Sequence, residues 1–216
     1  MALSVRRRIA DIARAEPDRT ALVGFDTDLA QQVLSWREFA DRVADVADAL
    51  GAALDRRTRS CAIVPAGNTL PAAIGIAAAL TAEVPVFPLN PGTPPAERDA
   101  LLGLLGRRFG HCFLMDAQLR PQRMDLPTGP EPSADGSAAA EGPGQFSTVA
   151  YLLATGATTG IPKISARPGP LRYDSAWTPS VVIRQTGWRT GQRQLIVGPL
   201  YHAAPFTAFL DALLDS

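Results

Sequence analysis

The sequence predicts an α/β protein with a largely parallel sheet and helices on both of its faces. Short apolar runs alternate with helical patterns between residues 61 and 115, and the connections between them are short. The runs are apolar throughout rather than alternating, as in strands buried on both sides. A strand–helix–strand–helix–strand order of this kind implies right-handed crossovers and parallel pairing.

Each element has its own signal. Val5, Ile9, Ile12 and Ala13 fall at helical spacing, which makes the basic start of the chain a first amphipathic helix. Ser35-Trp36-Arg37-Glu38 is a capping box, and Phe39, Val43, Val46, Ala47 and Leu50 form one apolar face behind it, with Gly51 near the expected stop. Cys61 to Val64, ended by Pro65 and Gly67, reads as a buried strand. Thr69 to Leu80 is apolar nearly all round and predicts a buried helix. Val84 to Leu89 is a second strand, closed by Asn90-Pro91-Gly92. Thr93 is expected to cap the next helix, with Pro94 at its first position. His111 to Met115 is a third strand.

Residues 120–146 are dominated by Pro, Gly, Ser and Ala and read as a solvated linker. They divide an α/β unit, residues 1–119, from a second segment, residues 147–216. In that segment Phe146 to Leu153 leads in as a strand, Gln194 to Val197 reads as another, and Ala204 to Leu214 as a helix.

Composition narrows the function. The 216 residues carry 21 basic and 21 acidic side chains, and the pI is about 6.7, so no electrostatic footprint for nucleic acid or an anionic membrane exists. No apolar stretch has the length of a membrane span and no secretory signal is evident. Cys61 and Cys112 sit inside apolar runs and read as buried packing residues, and His111 and His202 form no metal-binding cluster with them. A reduced, cytoplasmic setting and a small-molecule or protein partner are expected.

The feature that carries chemistry is Thr155-Gly156-Ala157-Thr158-Thr159-Gly160-Ile161-Pro162-Lys163, delivered by the strand before it. Gly156 and Gly160 allow successive N–H groups to converge on an anion, the threonine hydroxyls add donors, and Lys163 adds a mobile cation. The plainer alternative is a Thr/Gly-rich hairpin turn with a surface lysine. A Walker A loop is excluded because Ile161-Pro162 precede the lysine, and a dinucleotide fingerprint because Pro162 and its β-branched neighbours do not open a helix.

The segment resembles the phosphate loop of the adenylate-forming superfamily, which includes acyl-CoA synthetases, adenylation domains of peptide synthetases and luciferases. Every position agrees except Ala157, where the family normally has glycine. Pro17 to Val23, Leu34 to Phe39, Leu80 to Pro91 (with Glu83 at the usual glycine) and Pro199 to Phe206 are similar to further family segments in the same order.

The resemblance implies part of the N-terminal domain of an adenylate-forming enzyme, with ATP, Mg²⁺ and coenzyme A as cofactors. A carboxylic acid would be activated as an acyl-adenylate and passed to coenzyme A or a carrier-protein pantetheine. Thr155, Gly156, Ala157, Thr158, Thr159, Gly160 and Lys163 would contact the nucleotide. Lys163 would serve catalysis, Thr159 would face the metal, and Tyr201 and His202 would position the acyl substrate. Ile164 to Gly169 resembles the branch of bile-acid-type CoA ligases, which implies a bulky cyclic acid. The family's later Tyr-Gly-x-Thr-Glu segment, ribose-binding aspartate and C-terminal lysine have no counterpart here. The chain is therefore expected to be an inactive portion of a longer ligase that lacks the C-terminal domain. A degenerate, non-catalytic binding module of the same fold is the alternative, with a Rossmann-type oxidoreductase a distant third.

Overall fold

A computed structural model describes residues 2–25, 30–55, 57–126, 149–155, 162–176, 178 and 184–216. Its elements are β1 (Leu3–Ser4), α1 (Val5–Ala15), β2 (Thr20–Phe25), β3 (Gln31–Ser35), α2 (Trp36–Ala53), β4 (Ser60–Pro65), α3 (Leu70–Thr81), β5 (Val86–Leu89), α4 (Pro95–Gly106), β6 (His111–Met115), β7 (Pro121–Met124), β8 (Val149–Thr155), β9 (Lys163–Pro168), β10 (Arg172–Tyr173) and α5 (Ala203–Leu214).

Six strands form one sheet in the order β7-β6-β4-β5-β8-β9. The four central strands run parallel, and β7 and β9 close the edges antiparallel. β1 pairs with β10, and β2 with β3, in separate two-stranded ribbons. The parallel arrangement expected from the sequence is present, and alternate residues of each central strand serve two cores. Ala62, Val64, Val86, Phe113, Met115 and Ala150 face the apolar stripes of α1, α2, α3 and α5. Cys61, Ile63, Phe87, Leu89, Cys112 and Leu152 face Leu101, Leu102 and Leu105 of α4. Burial on both faces explains why these strands read as continuous apolar runs.

Local signals hold where they are self-contained. Ser35 and Glu38 cap each other as the box requires, at 2.8 Å from the Ser35 N–H to the Glu38 carboxylate. Val5, Ile9 and Ile12 form the buried stripe of α1. All of α3 except Pro71 is buried.

Five expectations need correction. Gly51 does not stop α2, which runs on to Ala53. The second strand begins at Val86, because Val84 N–H caps α3 by bonding Ala79 O at 2.9 Å. Pro94, not Thr93, is the N-cap of α4, and Pro95 takes the first helical position that a proline favours. The stretch read as linker from residue 120 opens with the edge strand β7, which pairs with β6 through its backbone and packs Met124 against the α4-side core. Residues 127–148 of that stretch lie outside the described residues.

The fifth correction is at Gln194 to Val197, which is not a strand. No described strand pairs with it, and Leu195 and Val197 remain 84% and 82% exposed. Among the described residues no helix is long and apolar enough to cross a membrane.

Candidate functional site

β8 and β9 form a hairpin in which Thr155 stands opposite Lys163. Thr155 Oγ1 donates to the Lys163 carbonyl at 3.4 Å, and both residues are exposed. The loop between them, residues 156–161, lies outside the described residues. The assignments to Gly156, Ala157, Thr158, Thr159 and Gly160, including the metal contact at Thr159, therefore lie there too. The frame of the loop is nonetheless fixed. It leaves the C-terminal end of a parallel strand and returns as an antiparallel edge strand, not as a helix, as Pro162 and its β-branched neighbours indicated. Ligands of open α/β sheets bind at that end of the strands.

Strand alternation decides which way the two ends of the loop point. Ala154, Ile164 and Ala166 pack against the α4-side core. Thr155 and Lys163, one residue removed, therefore project to the opposite face, the one that α5 covers. On that face Tyr151 of β8 meets Phe206 of α5, edge to face, with ring centroids 4.8 Å apart. Thr155 lies four residues further along β8, roughly 13 Å at the rise of an extended strand.

Tyr201 and His202 stand just before α5. His202 N–H bonds the Pro199 carbonyl at 3.0 Å and closes a tight turn, while buried Leu200 anchors it. His202 is the N-cap of α5 and makes no side-chain cap bond, so its exposed imidazole is not committed to the helix start. The Tyr201 and His202 rings lie 4.5 Å apart, and Tyr201 packs against the main core. No strand precedes His202, contrary to expectation. The preceding segment is held instead by Asn68, in the loop after β4, whose Nδ2 donates to Ile196 O at 3.3 Å.

The fold thus brings the Thr155–Lys163 pair and the Tyr201–His202 turn to one face of the sheet. It does not join them directly: among the described residues no hydrogen bond or ring contact links the pairs. Sequence reasoning missed Tyr151, whose ring ties β8 to α5, and Asn68. A tyrosine inside an aliphatic strand was the only signal for the first, and Gly67-Asn68-Thr69 before a helix the only one for the second.

Lys163 meets no carboxylate among the described residues. The described residues contain no group of three or more His, Cys, Asp or Glu able to hold a metal. Two surface cavities, of about 330 and 470 Å³, are lined elsewhere, one by Arg42, Leu70 and Leu119 and the other by Arg6, Asp48 and Glu83. The strand-end geometry is the better guide to a site, because the loop that would wall it is not among the described residues.

The described residues form a largely parallel α/β sheet whose β8–β9 hairpin and Tyr201–His202 turn lie on one face. The model of the AMP-binding enzyme family matches residues 9–214, and the chain belongs to that family. A search of curated proteins gives no significant match.

Among solved structures, the O-succinylbenzoate coenzyme A synthetase of Bacillus subtilis, in complex with AMP, matches over 96% of this chain and 53% of its own, with 18% identity and a TM-score of 0.63. The N-terminal subdomain of Klebsiella oxytoca NpsA, in complex with 3-hydroxybenzoyl-AMSN, matches over 99% and 52%, at 19% identity and a TM-score of 0.60. CmiS6 matches over 98% and 50%, at 17% identity and a TM-score of 0.65. At these identities the likeness establishes the fold. The chain spans about half the length of each, and the fold is that of the N-terminal portion of adenylate-forming enzymes.

Proposed function

We propose that the protein is an ATP-dependent ligase that activates a hydrophobic carboxylic acid as its acyl-adenylate and hands the acyl group to coenzyme A or a carrier-protein pantetheine. The observation that carries this is the placement of Thr155 and Lys163 on the sheet face that α5 and the Tyr201–His202 turn also occupy.

The substrate carboxylate is already the nucleophile, so the protein's part is alignment and charge neutralisation. Lys163 would face the β- and γ-phosphates and stabilise the charge that grows on departing pyrophosphate. Thr155 would present its hydroxyl beside it. Magnesium would arrive with the nucleotide and supply further charge neutralisation, with Thr159 the candidate hydroxyl toward it. Tyr201 and His202 would wall and orient the acyl end. His202 has no acidic partner among the described residues, which suits a positioning role rather than a general base.

A bulky cyclic acid heads the substrate panel on the resemblance of Ile164 to Gly169 alone. We further propose a cytoplasmic setting, and that the isolated 216 residues do not turn over. The later motifs of the family have no counterpart among them, and robust ATP–pyrophosphate exchange by this chain would overturn that view.

The test of the mechanism is Lys163→Ala in single-turnover adenylation by the full-length enzyme. Removing one charge-assisted contact made to the pyrophosphate side should slow the step about 10- to 100-fold. An unchanged rate would take Lys163 out of the mechanism.

A further inference from the structure

The sequence has two cysteines, and the fold sets them side by side. Cys61 on β4 and Cys112 on β6 are register partners in the parallel ladder, and both face the α4-side core. Both are free thiols, and both are buried. The Cys61 S–H has two acceptors within reach, the Ala62 carbonyl at 3.7 Å and the Cys112 sulfur. Met124 stands next in the same row, opposite Cys112 on the edge strand β7, and is only partly buried. The thiol pair therefore lies one strand in from the edge of the sheet, behind a flexible thioether.

We propose that Cys61 and Cys112 are a site of reversible disulfide formation across the sheet, with hydrogen peroxide as the oxidant. Adjacent strands lie about 4.8 Å apart, inside the Cα separation of a disulfide but slightly beyond its usual Cβ separation of about 3.5–4.5 Å. The bond forms with a small closure of β6 on β4, and that closure keeps it easily reduced, as in labile rather than structural disulfides. Unlike a sulfinate, the disulfide brings no charge into the apolar core. Cys112 is the attacking sulfur, being nearer the edge. Its hydrogen bond with Cys61 holds the Cys112 thiol below its ordinary value, whereas burial pushes the Cys61 thiol well above. The Cys112 sulfur attacks one peroxide oxygen, the O–O bond breaks, and the leaving hydroxide takes the thiol proton as water. The Cys61 sulfur then attacks the resulting sulfenic sulfur: the S–S bond forms, the S–O bond breaks, and a second water leaves with the Cys61 proton. The two sulfurs together lose two electrons, and peroxide gains them. The product ties β4 to β6 and closes the chain over α3, β5 and α4.

The experiment exposes the folded 216-residue chain to hydrogen peroxide and reads its cysteine peptides by mass spectrometry. The expected product is one peptide pair joined through Cys61 and Cys112 within a single chain, about 2 Da lighter than the two thiols and restored by dithiothreitol. The rate should stay within about twofold in urea concentrations below the unfolding transition, since the folded chain is the reactant. In Cys61→Ala, dimedone should trap a sulfenic acid at Cys112. In Cys112→Ala, the adduct at Cys61 should be roughly tenfold or more weaker, the higher thiol being the poorer nucleophile. Thiols left free after peroxide, or a disulfide formed only between chains, overturn the proposal. So does a rate that climbs with urea as the unfolded population does, and so do equal dimedone adducts in the two variants.

Discussion

Gly198 is the position where a single methyl group should disturb the turn carrying Tyr201 and His202 most directly. A Cβ built there would lie 2.5 Å from Pro205 Cγ and 3.4 Å from Pro205 Cβ. Ordinary contact begins at 3.4 Å, so Gly198→Ala demands a separation of about 0.9 Å. A proline ring can change its pucker but cannot rotate aside. Pro205 also sits in the first turn of α5, which fully buried Phe206 pins to the core. Either residue 198 or the start of α5 must therefore move, and the turn carrying Tyr201 and His202 lies between them.

Overpacking of this kind costs about 1–3 kcal/mol, and each kcal/mol lowers the melting temperature of a chain this size by about 2–4 °C. Urea denaturation of Gly198→Ala, Pro205→Ala and the double variant tests the assignment as a cycle. Removing Cγ leaves only the 3.4 Å contact to Pro205 Cβ, so the double variant should recover about 1–2 kcal/mol relative to the sum of the single changes. Additive effects, or a loss below about 0.5 kcal/mol in Gly198→Ala, would show that the clash is not what fixes this turn.

Two further outcomes follow from particular contacts. Ser35→Ala should cost about 0.5–2 kcal/mol near neutral pH, since it removes the cap on Glu38 N–H. The hydrogen bond from Ser35 N–H holds the Glu38 carboxyl below its ordinary value of 4.5, helped by the Ser35 hydroxyl. A depressed carboxyl pKa stabilises the fold above the unfolded value and loses that contribution as pH falls through the folded one. The gap between wild type and Ser35→Ala should therefore narrow below about pH 4.5, as pH-dependent urea midpoints would show. At Glu83 the backbone is left-handed, with φ of 57°, and the side chain pairs with Arg172 at 2.6 Å. Relief of that backbone strain is worth about 1–2 kcal/mol, against about 0–1 for a partly exposed pair and a further entropic cost for glycine. Glu83→Gly should be near neutral at low salt and gain up to about 1 kcal/mol at high salt, where the pair is screened. A loss above 1 kcal/mol in denaturation at both salts would show that the pair outweighs the strain.

What was legible in the sequence is what is decided within a few residues. The capping box at Ser35, the stripe of α1 and the buried run of α3 each depend on local spacing, and each appears as read. Pairing is not local. Leu195-Ile196-Val197 has the composition of a strand, but a strand needs a neighbour's backbone, and none of the described strands supplies it. Conversely, Pro121–Met124 has little strand character in its side chains and becomes β7 because β6 leaves an open edge beside it. The family was readable because a signature of it is written in consecutive residues, Thr155 to Lys163.

The direction in which that loop's ends face was not readable, since it depends on the β8–β9 register and on the side of the sheet that α5 covers. One residue of slip in that register would turn Lys163 toward the α4-side core, where Ile164 and Ala166 pack. Those two apolar residues therefore do more than fill space. By holding their own face inward they keep the lysine on the face of Tyr201 and His202. The Tyr151–Phe206 contact then relates the two ends of the site through the framework, with no direct bond between them. The placement of both pairs therefore rests on the framework, since among the described residues neither pair bonds the other.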